Sequence, residues 1–202
     1  LLAYLQEARP GQASLDGVHL HDDLLEDFSR PAVDTHLRAL AGFNRRLHQI
    51  NPAHLPPVEQ VEHQIVASNI DAQVFELEHA RTWERNPHMY ADVLATSLAS
   101  QTMFAYAPEA DRARRVLSKL RQVPRFVQAA RDNVTEPAGI FVKVALETWR
   151  GILRLIERDL PRAFSTLDDL HILGDLADAS TEATNVIKSY VEALENDIAP
   201  RA

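Results

Sequence analysis

The chain has 202 residues, 46% hydrophobic and 25% charged, with a formal net charge of −8. That is apolar enough for a core in one domain, or in one helical layer of a larger protein, while the acidic balance argues against a nucleic-acid surface, which needs a basic face. The absence of cysteine excludes disulfides, thiolate metal sites and cysteine nucleophiles, and no apolar run reaches the ~20 residues of a membrane span.

Six glycines and only short β-branched runs disfavour a sheet. The opening "LLAYLQEARP" lacks both a starting Met and a basic segment, so no signal peptide is expected and the chain reads as a fragment. Residues 1–9 read as a helix end stopped by Pro10-Gly11, and residues 10–29 as an acidic, turn-rich stretch. Ser29 is a candidate N-cap, with Pro31 tolerated in the first turn. Val33, Leu37, Leu40, Leu47 and Ile50 then predict a helix over 31–50, and "NPAHLPP" at 51–57 a connector.

Residues 58–84 carry no Gly or Pro and predict the longest helix. Val58, Val61, Ile65, Ala72, Phe75 and His79 mark one stripe, which Ile70, Val74 and Leu77 broaden. Asn86-Pro87 ends it, and a helix over 88–105 follows. Another opens near Pro108, where Val116, Leu120, Val123, Val127, Ala130 and Val134 repeat at 4-3-4-3-4. Pro124 within that pattern predicts a kink or split. Thr135 is a candidate cap for a helix over 137–159, marked by Phe141, Ala145, Trp149, Ile152 and Ile156 and ended by Pro161. Residues 163–178 read as short helical pieces. A last helix covers 180–198, with Ala183, Ile187, Tyr190 and Leu194 on one face. The expected fold is all-α: a single helical domain of seven or eight mostly antiparallel helices in an up-and-down bundle.

The chain contains no H-E-x-x-H, G-x-S-x-G, Walker loop or dinucleotide glycine fingerprint. "HLHDD", His19 to Asp23, is the best metal candidate: His19 and His21 could chelate from an extended segment, with Asp22 or Asp23 as an oxygen ligand. The competing reading is a loop whose Asp side chains cap local turns. Seven bases between Arg112 and Arg131 admit three readings: a solvated face, an anionic partner, or a match to the acidic stretch Asp168–Glu182. "WERNPHMY", residues 83–90, admits two. Trp83 and Tyr90 close a helix end around the Asn86-Pro87 turn, or Trp83, Asn86 and Tyr90 line a cleft.

These residues carry a resemblance. Gly17, His19, Asp22, Asp23, Leu25, Asp27 and Ser29 match "G-x-H-x-x-D-D-x-L-x-D-x-S". Trp83, Asn86, Pro87 and Tyr90 match "W-x-x-N-P-x-x-Y". "LSKLRQVPRFVQAARDNV" resembles a Pro-containing helix pair, and "SYVEALENDIAPRA" a helix leading into a further block. In order and spacing, over about 12–202, the chain resembles the N-terminal half of the bacterial domain-of-unknown-function 885 family. It departs at His21, where an aromatic is usual. The resemblance implies a longer, gluzincin-like zinc peptidase whose H-E-x-x-H helix lies in a C-terminal half beyond these residues. No catalytic or metal residue, and no cofactor, is then expected here, with zinc only in the missing part. The implied partners are that half of its own chain and a peptide substrate. His19, Asp22, Asp23, Trp83, Asn86 and Tyr90 become the candidates for lining the cleft. The alternative is a free-standing helical interaction module.

Overall fold

Helix α7 is the spine of the computed structural model, which describes residues 1–202. The chain is an all-α array without a strand: α1 (Leu2–Ala8), α2 (Pro10–Leu15), α3 (Arg30–Leu47), α4 (Pro57–Phe75), α5 (Thr82–Arg85), α6 (Pro87–Met103), α7 (Glu109–Asn133), α8 (Gly139–Arg154), α9 (Leu160–Ala163) and α10 (Leu170–Ala193). Single π-helical turns follow α4, α8 and α10.

The main core is made by α6, α7, α8 and α10. Helix α10 lies along α7, and α6 packs on both α7 and α8. The faces are those the 3.6-residue period dictates. Helix α7 turns in Val116, Leu120, Val123 and Val127, α8 turns in Ala145, Trp149 and Ile152, and α10 turns in Ala183, Ile187 and Tyr190. Trp149 and Tyr190, both wholly buried, meet edge to face with centroids 5.4 Å apart, the arrangement ring quadrupoles favour.

Helices α3 and α4 stand outside this core, and no residue of either belongs to it. They pair with each other around Val33, Leu40 and Ile70, as a two-helix arm. Helix α1 joins them: the Tyr4 hydroxyl is 2.7 Å from His36 Nδ1, and the Tyr4 ring lies against Phe43 at 5.5 Å. At the tip, Asn51 caps a short 3-10 turn, Pro52–His54.

Several expectations need correction. The stripe expected to bury α4 faces outward: Val58, Val61, Ile65 and Phe75 are 56–70% exposed. The residues expected only to broaden it, Ile70 with half-buried Val74 and Leu77, are the packed face, together with half-buried Val66. The helical path stops at Arg81, which takes a left-handed conformation (φ 51°), so α7 is the longest helix. Pro124 does not split α7. Leu120, Val123, Phe126 and Val127 are buried on both sides of it, and that packing offsets the lost backbone bond. Thr135 caps nothing: α8 starts four residues on, after Ala138. Phe141 is exposed rather than core. Helix α1 ends at Ala8, before Pro10 as expected, but Pro10 also opens α2 inside the stretch expected to be turn-rich, and Pro161 opens α9. Residues 163–178 are not short pieces throughout, since Asp169 Oδ1 accepts from the backbone N–H of His171 and Ile172 (3.1 Å each) and starts one long helix at Leu170. Ser29 is the N-cap residue of α3, but its side chain makes no capping bond.

The two faces of α4 differ in what they contribute. Ile70→Ala should cost about 2–5 kcal/mol by urea denaturation, and Ile65→Ala should stay within about 0.5 kcal/mol.

Candidate functional site

Residues 16–29 have no regular structure, yet they lie against the body. Their backbone groups must find partners elsewhere, and one side of α7 supplies them. The Asp23 carbonyl accepts from Ser118 Oγ (2.8 Å) and Gln122 Nε2 (2.7 Å), and the Leu25 N–H donates to Gln122 Oε1 (3.1 Å). The Leu25 carbonyl accepts from Arg125 Nη2 (3.2 Å), and the Phe28 carbonyl from Asn133 Nδ2 (2.6 Å). The segment is a strap running along α7. Gly17 turns its start, at φ 84°, a value glycine adopts without strain.

Asp22 anchors the strap. Almost wholly buried, it accepts at Oδ2 from His19 Nδ1 (3.0 Å), from Arg115 Nη1 (3.0 Å) and from the Tyr106 hydroxyl. Arg115 Nη1 also donates to the Tyr106 oxygen (2.8 Å), and the His19 and Tyr106 rings stack at 3.7 Å. The His19 and Arg115 side chains remain 31% and 28% exposed. Behind them sits a buried polar layer. Lys119 Nζ donates to Ser97 Oγ (2.8 Å) and to the Ser97 carbonyl (3.0 Å), and Gln101 Nε2 donates to Ser14 Oγ (3.2 Å). Glu26 Oε1 accepts from the Gly11 N–H (3.0 Å). A Cβ at Gly11 would stand 3.0 Å from that oxygen, so any larger residue there would have to push the Glu26 carboxylate back by a few tenths of an ångström.

The other candidates form a second node, at the root of the arm. The Tyr90 hydroxyl, wholly buried, donates to the Trp83 carbonyl (2.5 Å) and accepts from Asn133 Nδ2 (3.1 Å). Trp83 Nε1 donates to the Leu77 carbonyl (3.1 Å), and Arg30 lies over its ring at 5.0 Å. Asn86 Oδ1 accepts from the His88 N–H (3.0 Å), capping α6. Buried Glu84 pairs with Arg30 (3.0 Å) and with Arg81, while its carbonyl accepts from the Thr135 N–H (3.2 Å). This node ties both ends of the arm to the body.

The structure therefore brings His19 and Asp22 together, with exposed Asp23 beside them, and groups Trp83, Asn86 and Tyr90 separately. The two groups sit near opposite ends of α6. Tyr90 and Gln101 are roughly 16 Å apart along its axis at 1.5 Å per residue. No three His, Cys, Asp or Glu side chains stand close enough to hold a metal ion, and Asp22 Oδ2 already has three donors. Zinc does not fit among these residues. Tyr106 and Gln101 escaped the sequence reading, and Arg115 and Lys119 stood in it only as members of the basic run between Arg112 and Arg131. Lys119 had a signal, because it falls three positions after Val116 on the apolar face of α7.

A family described as "Bacterial protein of unknown function (DUF885)" matches residues 10–202. The chain belongs to this family. A solved structure described as "a putative lipoprotein of unknown function from Shewanella oneidensis" has the same fold, with TM-score 0.90 and 19% identity over 98% of this chain and 36% of the other. This DUF885 chain thus spans about a third of the length of the solved chain it matches. Among curated protein sequences none matches it. No helix is long and apolar enough to cross a membrane.

Charge in the DUF885 strap site is set by burial first. Burial would raise the Asp22 carboxyl, but the hydroxyls of Tyr106 and Ser14 and the charges of His19 and Lys119 hold it below its ordinary value. Burial pushes Glu26 up, against the Gly11 N–H and Lys119. It raises Tyr106 to about 12 and lowers Lys119 to about 8, although Asp22, Glu26 and Asp23 pull the lysine back. A charged ammonium is costly where desolvated.

Two tests follow. Tyr90→Phe leaves the buried Trp83 carbonyl without a donor and should cost about 1–3 kcal/mol in denaturant, a structural effect. For Lys119, the folded value near 8 lies below the unfolded 10.5. Between them the unfolded chain holds more protons, so this group makes stability rise with pH from 8 towards 10, by up to about 1.4 kcal/mol per unit. Above 10, Tyr106 ionises first in the unfolded chain and opposes the rise. Urea midpoints at pH 8 and 9.5 should show a Lys119-dependent gain that Lys119→Met lacks.

Proposed function

We propose that this region walls the substrate cleft of a zinc-dependent peptidase and carries neither the metal nor a catalytic group of its own. The metal's chemistry, activation of a water towards a peptide carbonyl, belongs to another part of the longer protein. One observation supports the reading above others: the His19–Asp22–Tyr106–Arg115 cluster. A buried carboxylate grips His19 at Nδ1, while Nε2 has no protein partner. Arg115 shares that carboxylate, and both side chains reach the surface.

Such a pair suits a peptide. An imidazole fixed from behind accepts or donates one hydrogen bond in a set direction, and a guanidinium with donors to spare binds a carbonyl or a terminal carboxylate. The buried layer beneath holds both side chains in place before anything binds, which lowers the ordering cost of recognition. The solved structure with this fold is longer, this chain covering 36% of it, which leaves room for a metal-bearing part.

The test uses a full-length DUF885 protein beside this chain. Zinc by elemental analysis should be stoichiometric in the longer protein and absent from the shorter. His19→Gln in the longer protein should keep zinc and thermal midpoint while kcat/KM on peptides falls about tenfold, the effect of one lost hydrogen bond of ~1.4 kcal/mol. Stoichiometric zinc in the short chain, or hydrolysis indifferent to His19→Gln, would remove the reading.

A further inference from the structure

The outward face of α4 has a period of its own. Val58, Val61, Ile65, Ser68, Ala72 and Phe75 follow one another at 3-4-3-4-3 spacing, and all are exposed. That is a heptad seam of about 26 Å at 1.5 Å per residue, on the side of α4 opposite the Ile70 face that packs on α3. A 3.5-residue repeat keeps one stripe facing a partner helix that crosses at roughly 20°. Four exposed large apolar side chains lie on this one stripe, with Ser68 and Ala72 between Ile65 and Phe75, and exposed apolar surface of that extent marks an interface.

The flanks say what kind of helix fits. Glu62, Asp71 and Glu78 are exposed beside the seam, and no Lys or Arg occurs between Arg46 and Arg81. A second copy of α4 would bring together only acidic and neutral flanks, with no base to pair them, in either orientation. A lipid surface fits no better, because interfacial helices carry their Lys and Arg beside the apolar face.

We infer that the α4 seam receives an amphipathic helix with apolar heptad positions and Lys or Arg flanks, supplied by the remainder of the same DUF885 polypeptide. The source follows from the size of the solved relative, of which this chain covers 36%. A helix in the same chain reaches the seam at high effective concentration. The inference stands apart from the zinc reading, since it needs no peptidase chemistry.

These 202 residues have no cysteine, so Ser68→Cys, in a full-length DUF885 protein whose other cysteines are replaced, places a single photo-crosslinker mid-seam. The expected product is an intramolecular cross-link to a helix with basic flanks. A cross-link to the α4 of a second copy, or none in the folded protein, would overturn the inference. On this chain, a labelled 21-residue helix with Leu at the heptad positions and Lys flanks should bind by fluorescence anisotropy. Affinity should fall about tenfold or more with Ile65→Lys, and should weaken with salt as the Debye length drops from ~10 to ~3 Å. Equal binding of a Glu-flanked peptide, sedimentation with phosphatidylglycerol vesicles, or no binding by the Lys peptide would sink it. Zinc content and hydrolysis are read separately, so cross-linking without zinc would discard the peptidase and keep the helix partner.

Discussion

A buried backbone that forms no helix must have its hydrogen bonds met by side chains, and this requirement shapes the middle of the molecule. The strap, residues 16–29, lies on α7 without regular structure. Ser118, Gln122, Arg125 and Asn133 satisfy three of its carbonyls, those of Asp23, Leu25 and Phe28, and one N–H. These positions recur along one side of the helix, so the strap follows the helix axis. A group among these left unmet and shut off from water would cost about 1–3 kcal/mol, so the polar positions of α7 are constrained as well as its apolar ones. The composition of α7 then follows. What looks like a basic, solvent-facing helix is partly spent inside the fold, with Arg112 on the Gln101 carbonyl, Arg115 on Asp22 and Lys119 on Ser97, while Arg125 reaches the Leu25 carbonyl from the exposed side. Only Arg121, bonded to Asp175 at 2.9 Å, reaches the acidic stretch on α10.

The same requirement sets the electrostatics of the strap site. Lys119 sits in the buried layer because α6 and the strap close over it, and its charge is retained beside Asp22 and Glu26. A lone ammonium there would cost several kcal/mol, and its acidic neighbours offset only part of that. Such a layer fixes register more than it adds stability. It admits one alignment of the strap on α7, and that alignment places His19 and Arg115 side by side at the surface.

Periodicity made the helices legible, because 3.6-residue spacing of Val, Leu and Ile in α7, α8 and the second half of α10 corresponds to real buried faces. It failed where a second physical effect competed. Pro124 breaks an isolated helix, but burial on both sides of it holds α7 together. Gly174 and scattered acids disguised the start of α10, and the Asp169 cap decides that start. In the candidate site, His19 and Asp22 were visible as a pair, but Tyr106 and Arg115 lie more than eighty positions away and only tertiary structure brings them in. "WERNPHMY" was legible as a turn. Its closure of the arm root was not, since that depends on Arg30, Asn133 and Thr135 from three other segments.

Helix α4 is the plainest case, because period alone cannot rank two apolar faces of one helix. Val66, Ile70, Val74 and Leu77 make one, and Val58, Val61, Ile65 and Phe75 make the other. Burying a large aliphatic side chain is worth about 1.5–3 kcal/mol whichever face holds it. The choice is therefore made by what α3 offers. Leu40 and Val33 meet the Ile70 side, and His63 Nε2 donates to the Leu47 carbonyl at 3.3 Å, pinning the pair at that rotation. The remaining face keeps a heptad period that the α3 contact does not require. A stripe with that spacing and acidic flanks is more specific than an exposed apolar patch, which tolerates any hydrophobe. The arm carries a recognition surface separate from the strap site, joined to it through the Glu84 and Tyr90 node and through α1, whose Tyr4 rests on His36 and Phe43.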